Sequence, residues 1–222
     1  LQLASAIQKA RERQAWQIAE ALALRAEDRD DRNLPKLLWH GLAPWVPKNL
    51  DRAFALAVKT PIPQFADWIY WYAATLEGEA LNRAVAVLAK WDGETLRRRL
   101  AGLWLAMEPR ANVPMPAAWK QIAPQLYASK DARIQRDAER LAAVFGDDSM
   151  FPRLREILAD SSAAAASRQH TFAVLSRAQD SVSLPVFLRL LDDTLFRSPA
   201  INLLARFDAP EIAEALLSRF GK

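Results

Sequence analysis

The sequence predicts an all-α protein. Apolar residues recur at the i, i+3, i+4, i+7 spacing of a single helix face along the whole 222-residue chain. No segment of comparable length alternates apolar and polar residues, as a half-buried strand would. The chain has 13 prolines but only 6 glycines, which disfavours folds that need many tight turns.

Short polar connections separate the predicted helices. The first helix is expected at residues 15–23 and the second at residues 34–42. Asn33 is the expected N-cap of the second helix, and Pro35 lies in its first turn, where the missing N–H is tolerated. Further helices are predicted at residues 53–58, 65–76, 81–91, 96–107, 134–145, 151–158, 171–178, 184–191, 200–207 and 212–220.

The second half of the chain contains an internal repeat. Pro152 matches Pro185 and Asp160 matches Asp193 at an offset of 33 residues, and a third, more tightly spaced unit opens at Asp208. Helix pairs of this kind cover their apolar faces only against neighbouring pairs. The repeat therefore predicts an α-solenoid of HEAT- or armadillo-like helix pairs in a right-handed superhelix. The alternative is an irregular helical bundle.

The predicted solenoid covers residues 1–222 as a single domain with two sub-blocks. All eight tryptophans lie in the first 119 residues. The proline-rich segment 112–117 cannot continue a helix. We therefore expect a tryptophan-rich helical block at 1–111 and regular HEAT-like repeats at 112–222.

The distribution of charge argues against a nucleic-acid partner. Lys and Arg number 30 and Asp and Glu 26, with the signs interspersed, and Arg97–Arg99 is the only run of like charge. This pattern is typical of solvated helix faces, so nucleic-acid binding through a basic concave face is kept only as the alternative function.

No segment has the length and apolar character of a membrane span. Because the chain begins with Leu1 and opens without a signal-peptide pattern, it is interpreted as an excised internal segment.

Catalytic and metal-binding motifs are absent from the sequence. The chain has no cysteine and two histidines, His40 and His170, and neither histidine belongs to a metal-binding or nucleophile motif. We therefore predict no catalytic residue, no cofactor, no metal and no small-molecule substrate. An enzyme that acts through His40 or His170 is the least favoured hypothesis.

The run of bulky residues from Trp68 to Tyr72 is the most unusual segment. Trp68, Trp71 and Tyr72 share one helix face, so they can pack in the core while Ile69 and Tyr70 point elsewhere. Alternatively, the run forms an exposed patch that docks a partner protein, because Trp and Tyr are common interface anchors. The candidate docking residues are Trp68, Tyr70, Trp71 and Tyr72.

Several segments resemble a known family. Residues 31–44 carry the pattern D-x-N-L-P-x-x-x-W-x-x-x-x-P, and residues 59–63, 112–119 and 205–212 also fit. The pattern is similar to the HEAT-repeat region of PVC-type cytochrome proteins, the membrane-bound-dehydrogenase-like proteins of Planctomycetes and Verrucomicrobia. This resemblance implies a spacer between a β-propeller dehydrogenase domain and a c-type cytochrome domain, in a periplasmic or exported setting. It assigns no catalytic or haem residue to this chain.

These observations together predict a non-enzymatic scaffold that binds protein. The partner is expected to be a neighbouring domain of a parent chain or a separate protein.

Overall fold

The structure, a computed structural model, describes residues 1–219 and confirms the all-α prediction. Within that range the regular structure is fourteen α-helices and several 3₁₀ turns, with no strand. The predicted helix at 212–220 ends at Phe220, which lies outside the described residues. The helices are α1 (Gln2–Ala6), α2 (Glu12–Ala23), α3 (Leu34–Leu42), α4 (Leu50–Lys59), α5 (Pro63–Thr75), α6 (Gly78–Ala86), α7 (Gly93–Met107), α8 (Trp119–Tyr127), α9 (Ala132–Phe145), α10 (Phe151–Ala159), α11 (Ala165–Ala178), α12 (Leu184–Arg189), α13 (Arg197–Leu204) and α14 (Pro210–Leu217).

The chain forms two compact units, Leu1–Leu141 and Ala142–Lys222. The division falls inside α9. The proline-rich segment 112–117 leads into α8, which packs against α6 of the first unit. Helix α5 is central to the first unit and contacts α3, α4, α6 and α7. Side chains on α5 are therefore positioned by helices on several sides.

Four ion pairs in the first unit join helices at a regular sequence spacing. Each connects an acidic residue to an arginine 32 or 33 positions later. They link α2 to α4, α4 to α6, α5 to α7, and the start of α6 to the segment after α7. The first three pairs thus each connect a helix to the helix two places later in the chain. The pairs are Glu20–Arg52, Asp51–Arg83, Asp67–Arg99 and Glu77–Arg110.

Several helices depart from the sequence interpretation. Helix α1 was not predicted. Asn33 occupies the N-cap position of α3, but the carboxylate of Asp31 accepts the backbone N–H groups of Asn33 and Leu34, both at 2.7 Å. Helix α8 was not predicted. It contains Pro124, which is exposed, while its apolar stripe of residues 119, 122, 123, 126 and 127 is buried.

The second unit contains the sequence repeat. Pro152 and Pro185 both lie at the second residue of their helices, α10 and α12, so the aligned segments begin in the same way. Helix α10 packs against α11 and α12, and α12 packs against α13. A continuous apolar core runs through these helices, with fully buried Leu158, Leu175 and Phe187 at its centre.

Gly41 allows the N-terminal segment to approach α3 closely. A methyl group at Gly41 would lie closer than 3.0 Å to Cβ and Cγ2 of Ile7, which is fully buried. Gly41→Ala is therefore expected to destabilise the protein by about 1–2 kcal/mol, because steric overlap outweighs the better helix propensity of alanine. Urea unfolding measures the loss, and hydrogen exchange should increase in residues 2–9.

Gly102→Ala is the matched control for this prediction. Gly102 lies inside α7, and the nearest atom to an added methyl group is Trp71 Cβ at 3.9 Å, an ordinary contact distance. The same change is expected to stabilise the protein here, by up to about 1 kcal/mol. If the two variants have equal stability, close packing at Ile7 does not constrain Gly41.

Candidate functional site

Helix α5 buries the opposite face from the one that the sequence interpretation chose. Ile69 and Tyr70 point into the first unit, with 0% and 5% of their surface exposed, together with Ala66, Ala73 and Ala74. Trp68, Trp71 and Tyr72 are half-buried and reach the surface. Three of the four candidate docking residues thus lie at the surface. Tyr70 does not, because its ring packs under α7.

Trp39 of α3 completes an aromatic cluster with the three surface residues of α5. Its ring centroid lies 5.4 Å from Tyr72 in a T-shaped pair and 6.2 Å from Trp68, and Trp71 lies 6.4 Å from Tyr72. We call these four half-buried residues the aromatic face. Sequence reasoning missed Trp39 as a site residue, although it precedes Tyr72 by 33 residues, the offset of the repeat in the second half.

Helix α7 extends the aromatic face with an apolar residue. A methyl group built on Gly102 would lie 3.9 Å from Cβ of Trp71, so α7 passes beside Trp71 at this position. Leu105 follows Gly102 by three residues, so it lies on the same side of α7, and 59% of its surface is exposed. Apolar groups on α3, α5 and α7 thus line one side of the first unit, and large exposed apolar groups of this kind typically mark interaction sites.

A buried arginine pairs with the residue that precedes Trp68 of the aromatic face. Arg99 of α7 is 5% exposed and donates from Nη1 to Oδ1 of Asp67, the residue that precedes Trp68. Its guanidinium also lies 4.2 Å from the centroid of the Tyr70 ring. Burial lowers the pKa of Arg99, and the Asp67 carboxylate opposes that shift. The interspersed charges of the sequence did not single out Arg99 as a buried residue.

Tyr70 shares this buried position. Burial raises the pKa of its phenol, and the Arg99 guanidinium and the Trp91 indole oppose the rise. The Tyr70 ring packs against the Arg99 guanidinium from the interior of the first unit.

The Asp67 carboxylate faces a second guanidinium. Nε of Arg98 lies 3.7 Å from Oδ2 of Asp67, which is an ion-pair distance but too long for a hydrogen bond. Nε of Arg98 and Nε of Arg99 are both buried and without a hydrogen-bond partner among residues 1–219. Asp67, Arg98 and Arg99, which we call the guanidinium cluster, thus place two cations around one anion.

Away from the aromatic face and the guanidinium cluster, the histidine and acidic side chains of the described residues form no metal-binding group. His40 is exposed on α3 and His170 is half-buried on α11. Across residues 1–219, no three His, Asp or Glu side chains are placed to hold a metal ion. No helix in that range is long and apolar enough to cross a membrane.

Two cavities lie away from the aromatic face, one in each unit. The first, of about 370 Å³, is lined by residues that include Trp91, Gln125 and Ile134. The second, of about 240 Å³, is bordered by Arg168 and Asp193. The buried Arg168 already donates to Asp193 at 2.7 Å, and this contact holds the pKa of the Asp193 carboxyl below its usual value. That arginine therefore serves to pack the second unit.

Comparison with known proteins gives no relative: no protein-family model, curated protein or solved structure matches the chain.

Proposed function

We propose that this chain is a helical-repeat scaffold that binds a protein segment on the aromatic face. The observation that carries the proposal is the clustering of Trp39, Trp68, Trp71 and Tyr72 on adjacent helices, where each ring remains partly exposed. Large, stiff aromatic side chains provide much contact area for little loss of conformational entropy. Leu105 enlarges the apolar surface available to a partner.

The proposed architecture is an α-solenoid of HEAT- or armadillo-like helix pairs. Support comes from the four ion pairs of the first unit, whose partners are 32 or 33 residues apart, and from the 33-residue sequence repeat in the second unit. Repeats that contact mainly their neighbours produce long surfaces suited to binding extended segments. The right-handed superhelix stays a prediction.

The resemblance to PVC-type cytochrome proteins would make the partner a propeller or cytochrome domain of a parent chain in an exported setting. That assignment stays a prediction. The nucleic-acid alternative has less support, because many arginines of the first unit already face carboxylates, among them Arg52, Arg83 and Arg99. Neutralised arginines contribute little to phosphate binding.

Selection from a random peptide library displayed on phage tests the proposed function. Peptides enriched on the full chain are expected to bind Trp68→Ala at least about tenfold more weakly, because truncation removes an aromatic anchor at the interface. Trp45→Ala is the matched control: Trp45 is also half-buried but lies outside the aromatic face, in contact with Lys48. Circular dichroism verifies that both variants fold.

Two outcomes would contradict the proposal. One is the absence of any enriched sequence. The other is a set of enriched peptides that bind Trp68→Ala and the wild type equally well.

A further inference from the structure

Beside the aromatic face, one carboxylate is shared by two guanidinium groups. Asp67 is the sole acidic residue within α3 and α5, and it faces both Arg98 and Arg99. Lys36 is exposed on α3 and precedes Trp39 by three residues, so it lies on the same side of that helix. On α7, Glu94 pairs with Arg97, so the single carboxylate of Asp67 is left to two guanidinium groups, those of Arg98 and Arg99.

Arg98 lies where a bound segment could reach it. Residues 98, 102 and 105 follow the i, i+4, i+7 spacing of one helix stripe, and Gly102 of that stripe packs against Trp71. The side chain of Arg98 is 38% exposed and that of Asp67 is 28% exposed, whereas Arg99 is buried beneath them. Arg98 is therefore the accessible member of the guanidinium cluster and adjoins the aromatic face.

The guanidinium cluster also has unused hydrogen-bonding capacity. Nε of Arg98 and Nε of Arg99 find no acceptor in the described residues, and Nε of Arg98 lies 3.7 Å from Oδ2 of Asp67. A buried donor without a partner is costly, and a guanidinium forms its strongest pairs with carboxylates. A second carboxylate at the exposed part of the Arg98 guanidinium would restore the balance of charge.

We propose that the occupant of the aromatic face is an acidic protein segment. An aliphatic or aromatic side chain of that segment packs on Trp39, Trp68 and Tyr72, and a neighbouring Asp or Glu pairs with Arg98. This inference rests on the proposed function and specifies the chemistry of the partner. A nucleic acid is less suitable, since the aromatic rings pack against one another and the positive charge forms a single patch rather than a stripe.

Fluorescence anisotropy with three short labelled peptides tests the inference. The first peptide alternates glutamate with leucine and phenylalanine, the second has glutamine in place of glutamate, and the third has lysine there. The full chain is expected to bind the glutamate peptide at least about tenfold more tightly than the glutamine peptide, the usual scale of a charged hydrogen bond. Arg98→Gln should abolish most of that preference.

Two further variants keep the test specific. Lys36→Gln, a change at an exposed position, is expected to reduce the preference by a smaller factor, and Arg133→Gln, at an exposed arginine of α9, should leave it unchanged. Equal binding of the glutamate and glutamine peptides, preference for the lysine peptide, or no binding of the glutamate peptide would overturn the inference. The first two results leave the proposed function intact if Trp68→Ala still weakens binding. Tighter binding of a single-stranded oligonucleotide would overturn both proposals.

Discussion

Replacement of Phe187 by alanine is expected to lower the free energy of unfolding of the second unit by about 3–5 kcal/mol. The Phe187 side chain is fully buried. Its ring lies 6.1 Å from Phe172 in a T-shaped pair and 6.0 Å from Phe207, while Phe172 contacts Phe196 at 5.4 Å. These rings come from different elements, so the surrounding helices cannot close the cavity without moving together. The cost should therefore fall at the upper end for a core truncation.

The measurement must separate the two units. All eight tryptophans lie in residues 1–119, so tryptophan fluorescence during urea unfolding follows the first unit. Hydrogen exchange in peptides from residues 151–217 follows the second unit and should rise sharply in Phe187→Ala. Val182→Ala is the matched control, because Val182 is 66% exposed and its truncation should change stability by less than about 0.5 kcal/mol. A loss below about 1 kcal/mol in Phe187→Ala would mean that the phenylalanine cluster is not the core of this unit.

Local periodicity was sufficient to predict most of the helices, because an amphipathic stripe is a property of neighbouring residues alone. It failed at α8, which contains Pro124 and directly follows the proline-rich segment 112–117 that was predicted as a connection. Residues 119, 122, 123, 126 and 127 do form a buried stripe in that segment. Pro124 is tolerated because it lies on the exposed side of a short helix. Greater weight on the stripe than on the proline would have revealed α8.

The orientation of α5 could have been predicted from its small residues. Five consecutive bulky side chains fit the core on either side of the helix, so their size does not decide the question. Ala66, Ala73 and Ala74 lie on the same face as Ile69 and Tyr70 and are buried. Small residues on that face permit neighbouring helices to approach closely, whereas Trp68, Trp71 and Tyr72 need more space and reach the surface.

Trp39 and Arg99 belong to the candidate site because each contacts a residue that is distant in the sequence, Tyr72 and Asp67 respectively. Nothing local separates the buried Arg99 from its neighbour Arg98, which is partly exposed. The spacing does separate them: Arg99 follows Asp67 by 32 residues, just as Arg52 follows Glu20. A search for opposite charges at the repeat offset would have identified Arg99, and a search for aromatic pairs would have identified Trp39 with Tyr72.

Asp67→Ala is expected to destabilise the first unit by about 2–3 kcal/mol, the largest effect that we predict for a surface-accessible residue. Its removal leaves the buried Arg99 guanidinium without a carboxylate, and the loss of one partner of a buried pair typically costs about 3–5 kcal/mol. Partial exposure of Asp67, at 28% of its side chain, reduces that cost because water can enter. Urea unfolding monitored by tryptophan fluorescence measures the change.

The Asp51–Arg83 pair provides a control with the same chemistry and the same spacing of 32 residues, but in solvent. The side chain of Asp51 is 80% exposed, so Asp51→Ala should change stability by no more than about 1 kcal/mol. If the cost of Asp67→Ala comes from a stranded buried charge, then Arg99→Met should recover much of it when combined with Asp67→Ala, since an apolar side chain can pack on Tyr70. Equal effects of Asp67→Ala and Asp51→Ala would show that Arg99 is solvated after the change. A double variant less stable than Asp67→Ala would show instead that Arg99 stabilises the fold mainly through contacts other than Asp67, such as the Tyr70 ring.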